Sequence, residues 1–188
     1  MSEDSYILAV TRSVVQHNRL FAGDEHGQEC LMSSTRDPLD PHTLRDGLVR
    51  IGEVAIPKGD DAALDRYFAE DFVFHGPAGD ATLKDIKSLF QAMRNAFSNF
   101  AITRERIIVD GNFVAARTRI SGIFEHELTH SPVGRVRPTG KSVSYIVHHI
   151  FRYDDHGRLA EEWALLDNLE FLKQIGVELK RDTTTSRS

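Results

Sequence analysis

The sequence holds one cysteine, Cys30, in 188 residues. A single thiol excludes an intrachain disulfide framework and any structural zinc site built from several thiolates. The chain also lacks an apolar run near the ~20 residues that cross a bilayer as a helix. Basic charge is not in excess either: 23 Lys and Arg against 28 Asp and Glu leave a net charge of −5. That balance gives no overall attraction to phosphate backbones or anionic lipid, so neither nucleic acid nor a membrane is expected as a partner. The opening Met1-Ser2-Glu3-Asp4 is acidic where a secretory leader is basic, and the expected location is the cytoplasm.

What is present suits one globular core, with 40% hydrophobic and 27% charged residues. Texture divides the chain into three. Residues 1–41 form an N-terminal extension expected to be partly ordered, with an apolar-containing piece from Ile7 to Phe21 and a polar stretch from Gly23 to Glu29. Residues 42–178 carry the folding signals. Residues 179–188 are polar, rich in Thr and Ser, and expected to be disordered.

Within the central part, Leu44, Leu48, Ile51 and Ala55 recur at helical spacing up to Pro57 and Gly59. Asp60 or Asp61 caps a short second helix bearing Leu64, Tyr67 and Phe68, and Phe72-Val73-Phe74 is a short β-prone run. Thr82 with Asp85 forms a variant capping box before a helix with the stripe Ile86, Leu89, Phe90, Met93 and Phe97. After Asn99 the pattern turns to strands: Ile102 to Val109, Phe113 to His126, Ser142 to Tyr153 and Leu159 to Asp167, with a hairpin signal at Asp110-Gly111. A last helix, Leu169 to Ile175, stops at Gly176. Helices first and an antiparallel meander second predict an α+β fold, a curved sheet partly covered by helices and leaving a half-open pocket.

The strand Ser142–Tyr153 has two usable faces. Tyr145, Val147, His149 and Phe151 share one; Ser144, Ile146, His148, Ile150 and Arg152 share the other. At most one of the adjacent histidines lines a pocket. Apolar residues on both faces predict a homodimer through the outer face of the sheet. Arg117 and Glu161 are candidates for a cross-strand ion pair.

His126-Glu127-Leu128-Thr129-His130 satisfies the zinc-hydrolase pattern His-Glu-x-x-His. That chemistry needs a helix, which sets both imidazoles on one face. Gly122 and Pro132 flank the motif, and it continues a β-prone run, so a loop and no metal are expected.

Several segments, in order from about Leu44 to Val177, resemble the SnoaL-like polyketide cyclase and ester cyclase family of the nuclear transport factor 2-like fold. Phe72-Val73-Phe74-His75-Gly76-Pro77 is similar to its short strand ending in a histidine. Asp110 to Arg117 resembles its Gly-Asp-x-Val-x-x-Arg hairpin, and Pro138-Thr139-Gly140-Lys141 its Pro-x-Thr-Gly-Lys turn. His149-Ile150-Phe151-Arg152, Gly157 to Trp163 and Gln174-Ile175-Gly176 complete the likeness.

The resemblance implies a cone-shaped curved antiparallel sheet covered by N-terminal helices. It also implies a cofactor-free acid/base enzyme acting on a hydrophobic carbonyl or polyketide-like small molecule, by intramolecular aldol cyclisation or isomerisation. The family's histidine falls on His149. Its carboxylate position, aligned through Gly157 and Glu161, falls on Ala164, with Glu162 and Asp167 the nearest acids. His149, Asp167 and Glu162 are therefore the expected catalytic residues, with Asp167 equally suited to cap the last helix and His149 to bond a neighbouring carbonyl. His75, Tyr145, Trp163 and Phe151 are the expected substrate contacts, and Trp163 is expected in the core and pocket wall. The alternatives are a non-catalytic small-molecule-binding or dimerisation module and, from His126–His130, a zinc hydrolase.

Overall fold

A computed structural model describes residues 39–178; the expectations for the extension before them and the tail after them lie outside the described residues. Helix α1, Pro41–Val49, starts where Asp40 accepts from the Thr43 N–H at 2.8 Å and proline takes the first turn. It continues through a π-helical segment, Arg50–Ala55, and one further α turn, Ile56–Lys58. Gly59, at φ 71, ends the run in the left-handed region that glycine occupies without a Cβ clash. Helix α2, Asp61–Tyr67, is capped by Asp60, and helix α3, Leu83–Ala96, opens with the Thr82–Asp85 capping box.

Six strands form one sheet: β1 Phe68–Gly76, β2 Gly79–Thr82, β3 Phe97–Asp110, β4 Phe113–Phe124, β5 Ser142–Tyr153 and β6 Leu159–Leu166. Their order is β2-β1-β6-β5-β4-β3. The predicted meander β3–β6 is present, with Asp110 paired to Phe113 across a two-residue turn. Two features differ from the expectation. Strand β2 is an added edge strand, and β1 joins β6 in parallel while every other pair is antiparallel.

The expected Arg117–Glu161 ion pair is absent because β5 lies between β4 and β6. Arg117 pairs instead with Glu105 on β3, and Glu161 with Arg152 on β5.

Two packed clusters hold the concave side. One joins Leu44, Leu48, Ile51 and Leu64 to Phe68, Val114 and Phe151. The other packs Phe124, Val143 and Met93 against Phe171, Leu172 and Ile175, which closes one end with helix α4, Asn168–Gln174. Alternation along the strands then decides which side chains face the helices and which face outward.

Candidate functional site

On β5 the alternation buries Val147 and Phe151, and His149 lies between them on the same concave face. Phe151 stands across from Glu162 on β6, and the Glu162 side chain reaches diagonally to His149, with Nδ1 to Oε1 at 2.7 Å. A carboxylate only accepts, so the proton sits on Nδ1 and Nε2 keeps its lone pair. That Nε2 is buried and has no hydrogen-bond partner among the described residues. Burial pushes the His149 pKa below the ordinary histidine value; the Glu162 bond and charge oppose this, while Arg104 and His148 add to it. The imidazole stacks on Phe151 at 5.1 Å between centroids.

A second ionic side chain shares this interior. On β3, Ile102 and Arg104 face inward; then a register shift falls between Arg104 and Arg106, and Ile107 resumes the inward set. The extra residue, Glu105, faces Arg117 and Arg119 on the other side. This is a β-bulge, which re-aims side chains without ending the strand. Arg104 donates from Nη1 to Thr118 Oγ1 at 2.7 Å, and its Cζ lies 5.2 Å from the Phe151 ring centroid. Its backbone N–H donates to Glu53 of the π-helical segment at 2.7 Å.

Gly52 of the same segment makes the room: a Cβ there would lie 2.7 Å from Arg104 Nε. Burial lowers the guanidinium pKa, against the nearby Glu162, Tyr67, Tyr153 and Glu53. Tyr67 and Tyr153 share a hydroxyl–hydroxyl bond of 2.5 Å, and burial pushes Tyr153 up to about 12 and raises Tyr67 further.

These groups border a cavity of about 30 Å³ lined by Ile51, Tyr67, Arg104, Thr118, His149 and Glu162 among largely apolar neighbours. It is smaller than the half-open pocket the sequence predicts, because Leu48, Ile51 and Ile56 of the first helical run line it as well. A cavity of this size, bordered by both His149 and Arg104, has room for a carbonyl-sized group.

Residues 48–175 match the family profile of the SnoaL-like polyketide cyclases. The chain belongs to this family. Among solved structures, the chain is similar to IdmH of Streptomyces antibioticus, a proposed polyketide cyclase, at 26% identity, TM-score 0.59, 72% of this chain and 100% of that one. AclR of Streptomyces galilaeus, a proposed hydroxylase, gives 19% identity, TM-score 0.62, and 73% and 98% coverage. TsrD of Streptomyces laurentii gives 21%, 0.60, and 73% and 98%. Such identities, all but the first below 25%, bear on the fold. No curated protein matches the sequence.

Against the SnoaL-like pattern, Ala164 lies directly across from His149 on the β5·β6 pair. Glu162 is two residues earlier, hence on the same face, and its longer side chain brings a carboxylate to the histidine from that displaced position. Asp167 instead caps helix α4, accepting from the Glu170 N–H at 3.0 Å. Asp167→Ala is accordingly expected to lose about 1 kcal/mol of stability by chemical denaturation. An unchanged denaturation midpoint would show that this cap contributes nothing to stability.

The four expected contacts separate by face. Phe151 lines the cavity. Tyr145 is on the concave face but packs against Phe171 at 4.8 Å, outside the cavity lining, with burial raising its pKa. Trp163 and His75 require correction. With Glu162 inward, Trp163 must point outward, where it is 37% exposed and neither core nor pocket wall. His75, its partner across β1·β6, stacks on it at 5.0 Å and bonds Asp80 at 2.8 Å, so it is not at the pocket rim.

Sequence reasoning missed Arg104, Thr118, Gly52 and the Tyr67–Tyr153 pair. The bulge hides the parity that turns Arg104 inward, and Tyr67 reads as one more apolar helix residue.

His126–His130 is not helical: Leu128 bridges to Val136, and the two histidines are exposed at bends on either side of it. Among the described residues no group of three or more His, Cys, Asp or Glu is placed to hold a metal ion. No described helix is long and apolar enough to cross a membrane.

Proposed function

We propose that this SnoaL-like protein is an acid/base enzyme that closes or isomerises a hydrophobic carbonyl compound of the polyketide type, with His149 moving the proton. The observation that carries this reading is the unpartnered, buried Nε2 of a histidine that lines an apolar cavity and is held in one tautomer by Glu162. Glu162 acts as the orienting carboxylate and stabilises the imidazolium once the proton is taken. A cavity of about 30 Å³ is well below the ~300–1,000 Å³ of ordinary small-molecule pockets. The substrate therefore inserts one carbonyl-bearing arm, or enters with the helical cover displaced. Conversion of hydrophobic keto esters by the wild-type chain, lost in His149→Ala, is the test. Tight binding of such esters without product would favour a binding module instead.

The working unit in this reading is a homodimer packed through the outer sheet face. Across four strands Ile108, Ala115, Ile150 and Trp163 form one cross-strand row, with Ile108 62% and Ile150 49% exposed. Arg106 lies on one side of the row and Asp110 on the other, along the same strand. A two-fold axis along the row sets each Arg106 against the partner's Asp110, which makes the face self-complementary in charge as well as apolar. Light scattering is expected to give a dimer mass for the wild type and a monomer for Ile150→Lys. A monomer mass for the wild type at all concentrations would reject the interface.

A further inference from the structure

The mechanism so far leaves one buried cation unused. Arg104 lines the same cavity as His149, and its Nε–H, like His149 Nε2, is buried without a hydrogen-bond partner among the described residues. Both groups lean on one ring: the imidazole stacks on Phe151 at 5.1 Å, and Arg104 Cζ is 5.2 Å from its centroid. A buried guanidinium with an idle donor is costly unless something answers it. Three local features nevertheless hold it in place. Gly52 leaves it space, Thr118 accepts from Nη1, and Glu53 accepts from its backbone N–H. A π-helical segment supplies both Gly52 and Glu53, and such segments recur at functional sites.

We infer that Arg104 is a catalytic residue whose Nε–H receives the oxyanion formed on the substrate carbonyl when His149 removes a proton from the adjacent carbon. The substrate class is then an enolisable 1,3-dicarbonyl, such as a β-keto ester. His149 Nε2 takes the α-proton, the C–H electron pair becomes the enolate C=C, and the carbonyl π pair moves onto oxygen against the guanidinium. In a cyclisation the enolate carbon then bonds to a second carbonyl carbon, and the oxygen of that carbonyl takes the proton back from His149. Without acceptor carbonyl, reprotonation of the same carbon returns the starting ester. The two catalytic charges thus meet opposite ends of one bond system, and a preorganised donor in a dry site is where such stabilisation is strongest.

This inference rests on the acid/base reading of His149, and the experiment separates the two. The full-length protein is incubated with ethyl acetoacetate in deuterated buffer, and loss of the C2 proton signal is followed by NMR. The wild type is expected to accelerate exchange and His149→Ala to abolish the acceleration. Arg104→Gln should lower kcat for exchange by ~10²–10³-fold, with KM little changed, since the lost contact exists only once the oxyanion forms. Gly52→Ala, which keeps the guanidinium but pushes it aside, should lower kcat as well, and Arg104→Lys should recover only part of it because the planar donor is lost. Wild-type kcat in a folded Arg104→Gln would overturn the role of Arg104 and leave His149 as base. If Arg104→Gln does not fold, Gly52→Ala and Arg104→Lys decide: reduced kcat supports the inference, and wild-type kcat in both overturns it. Exchange by the wild type no faster than by His149→Ala would sink the acid/base reading, and this inference with it.

Discussion

Replacing His149 by alanine is expected to lower turnover of a hydrophobic keto ester by ~10²–10⁴-fold while the protein still melts cooperatively, the usual contribution of one positioned general base. The magnitude follows from geometry. Nδ1 is taken by Glu162, which leaves Nε2 as the one free ring nitrogen of His149, and no other described imidazole lines the cavity. Rate against pH provides an independent check. Because burial lowers the His149 pKa, the base stays neutral below the ordinary histidine value of ~6.5, and the acid limb of the profile should fall below that pH.

Glu162→Gln removes both interactions that favour the imidazolium, so the limb should move lower still, with a reduced plateau. An amide can donate to Nδ1, which lets the proton occupy Nε2 and blocks the base. The same shift has a stability sign. His149 is harder to protonate folded than unfolded, so its contribution is full above ~6.5 and is lost as pH falls from there through the folded value. An acid limb at or above the ordinary histidine pH in the wild type, unmoved by Glu162→Gln, would remove His149 from the rate-determining proton transfer.

Phe151→Ala is expected to cost about 3–5 kcal/mol in chemical denaturation, the largest stability loss among the site residues. Phe151 is 1% exposed and packs within the main core cluster. Truncation leaves a cavity there, and it also strips the guanidinium of Arg104 and the ring of His149 of their shared aromatic neighbour. Phe151→Leu should recover most of the stability, because volume is largely kept, but not the activity, because the flat platform is gone. A loss below about 1 kcal/mol for alanine would place Phe151 outside the core, in the range of surface substitutions.

Much of the fold is legible from periodicity. Ser142–Tyr153 has the boundaries the sequence predicts, since its alternation runs unbroken between turn residues. The capping box at Thr82 and the cap at Asp60 are local chemistry and read directly. The rest depends on partners distant in sequence. Strand β2, Gly79-Asp80-Ala81-Thr82, has no apolar alternation and exists because β1 offers an edge. Strand β3 runs from Phe97 rather than Ile102, through Asn99 at φ 51, a left-handed kink no pattern announces.

Of the site, His149 and Glu162 could be named from residue type and position, yet their contact needs the β5·β6 register. For Trp163 residue type and parity conflict: a tryptophan suggests a core, but its neighbour Glu162 takes the inward place and leaves the indole outside. Arg104 shares the inward parity of Ile102, but Ile107, beyond the inserted Glu105, carries the opposite parity, so the strand pattern shows no single inward set.

The parallel pairing of β1 with β6 bears on how the chain is made. Val73 finds Glu161 as its strand partner, so the first strand remains without its central neighbour until nearly the whole domain has left the ribosome. Until then Phe68 and Phe72, 4% and 3% exposed in the finished fold, have no sheet beside them on which to settle. Pairings of such long sequence separation form late and leave sticky intermediates. The β3–β5 meander, whose neighbours are adjacent in sequence, can assemble first and act as the template. A nascent chain halted before Leu159 is therefore expected to carry a formed meander and an unanchored first strand, with β6 the segment whose arrival sets Glu162 against His149.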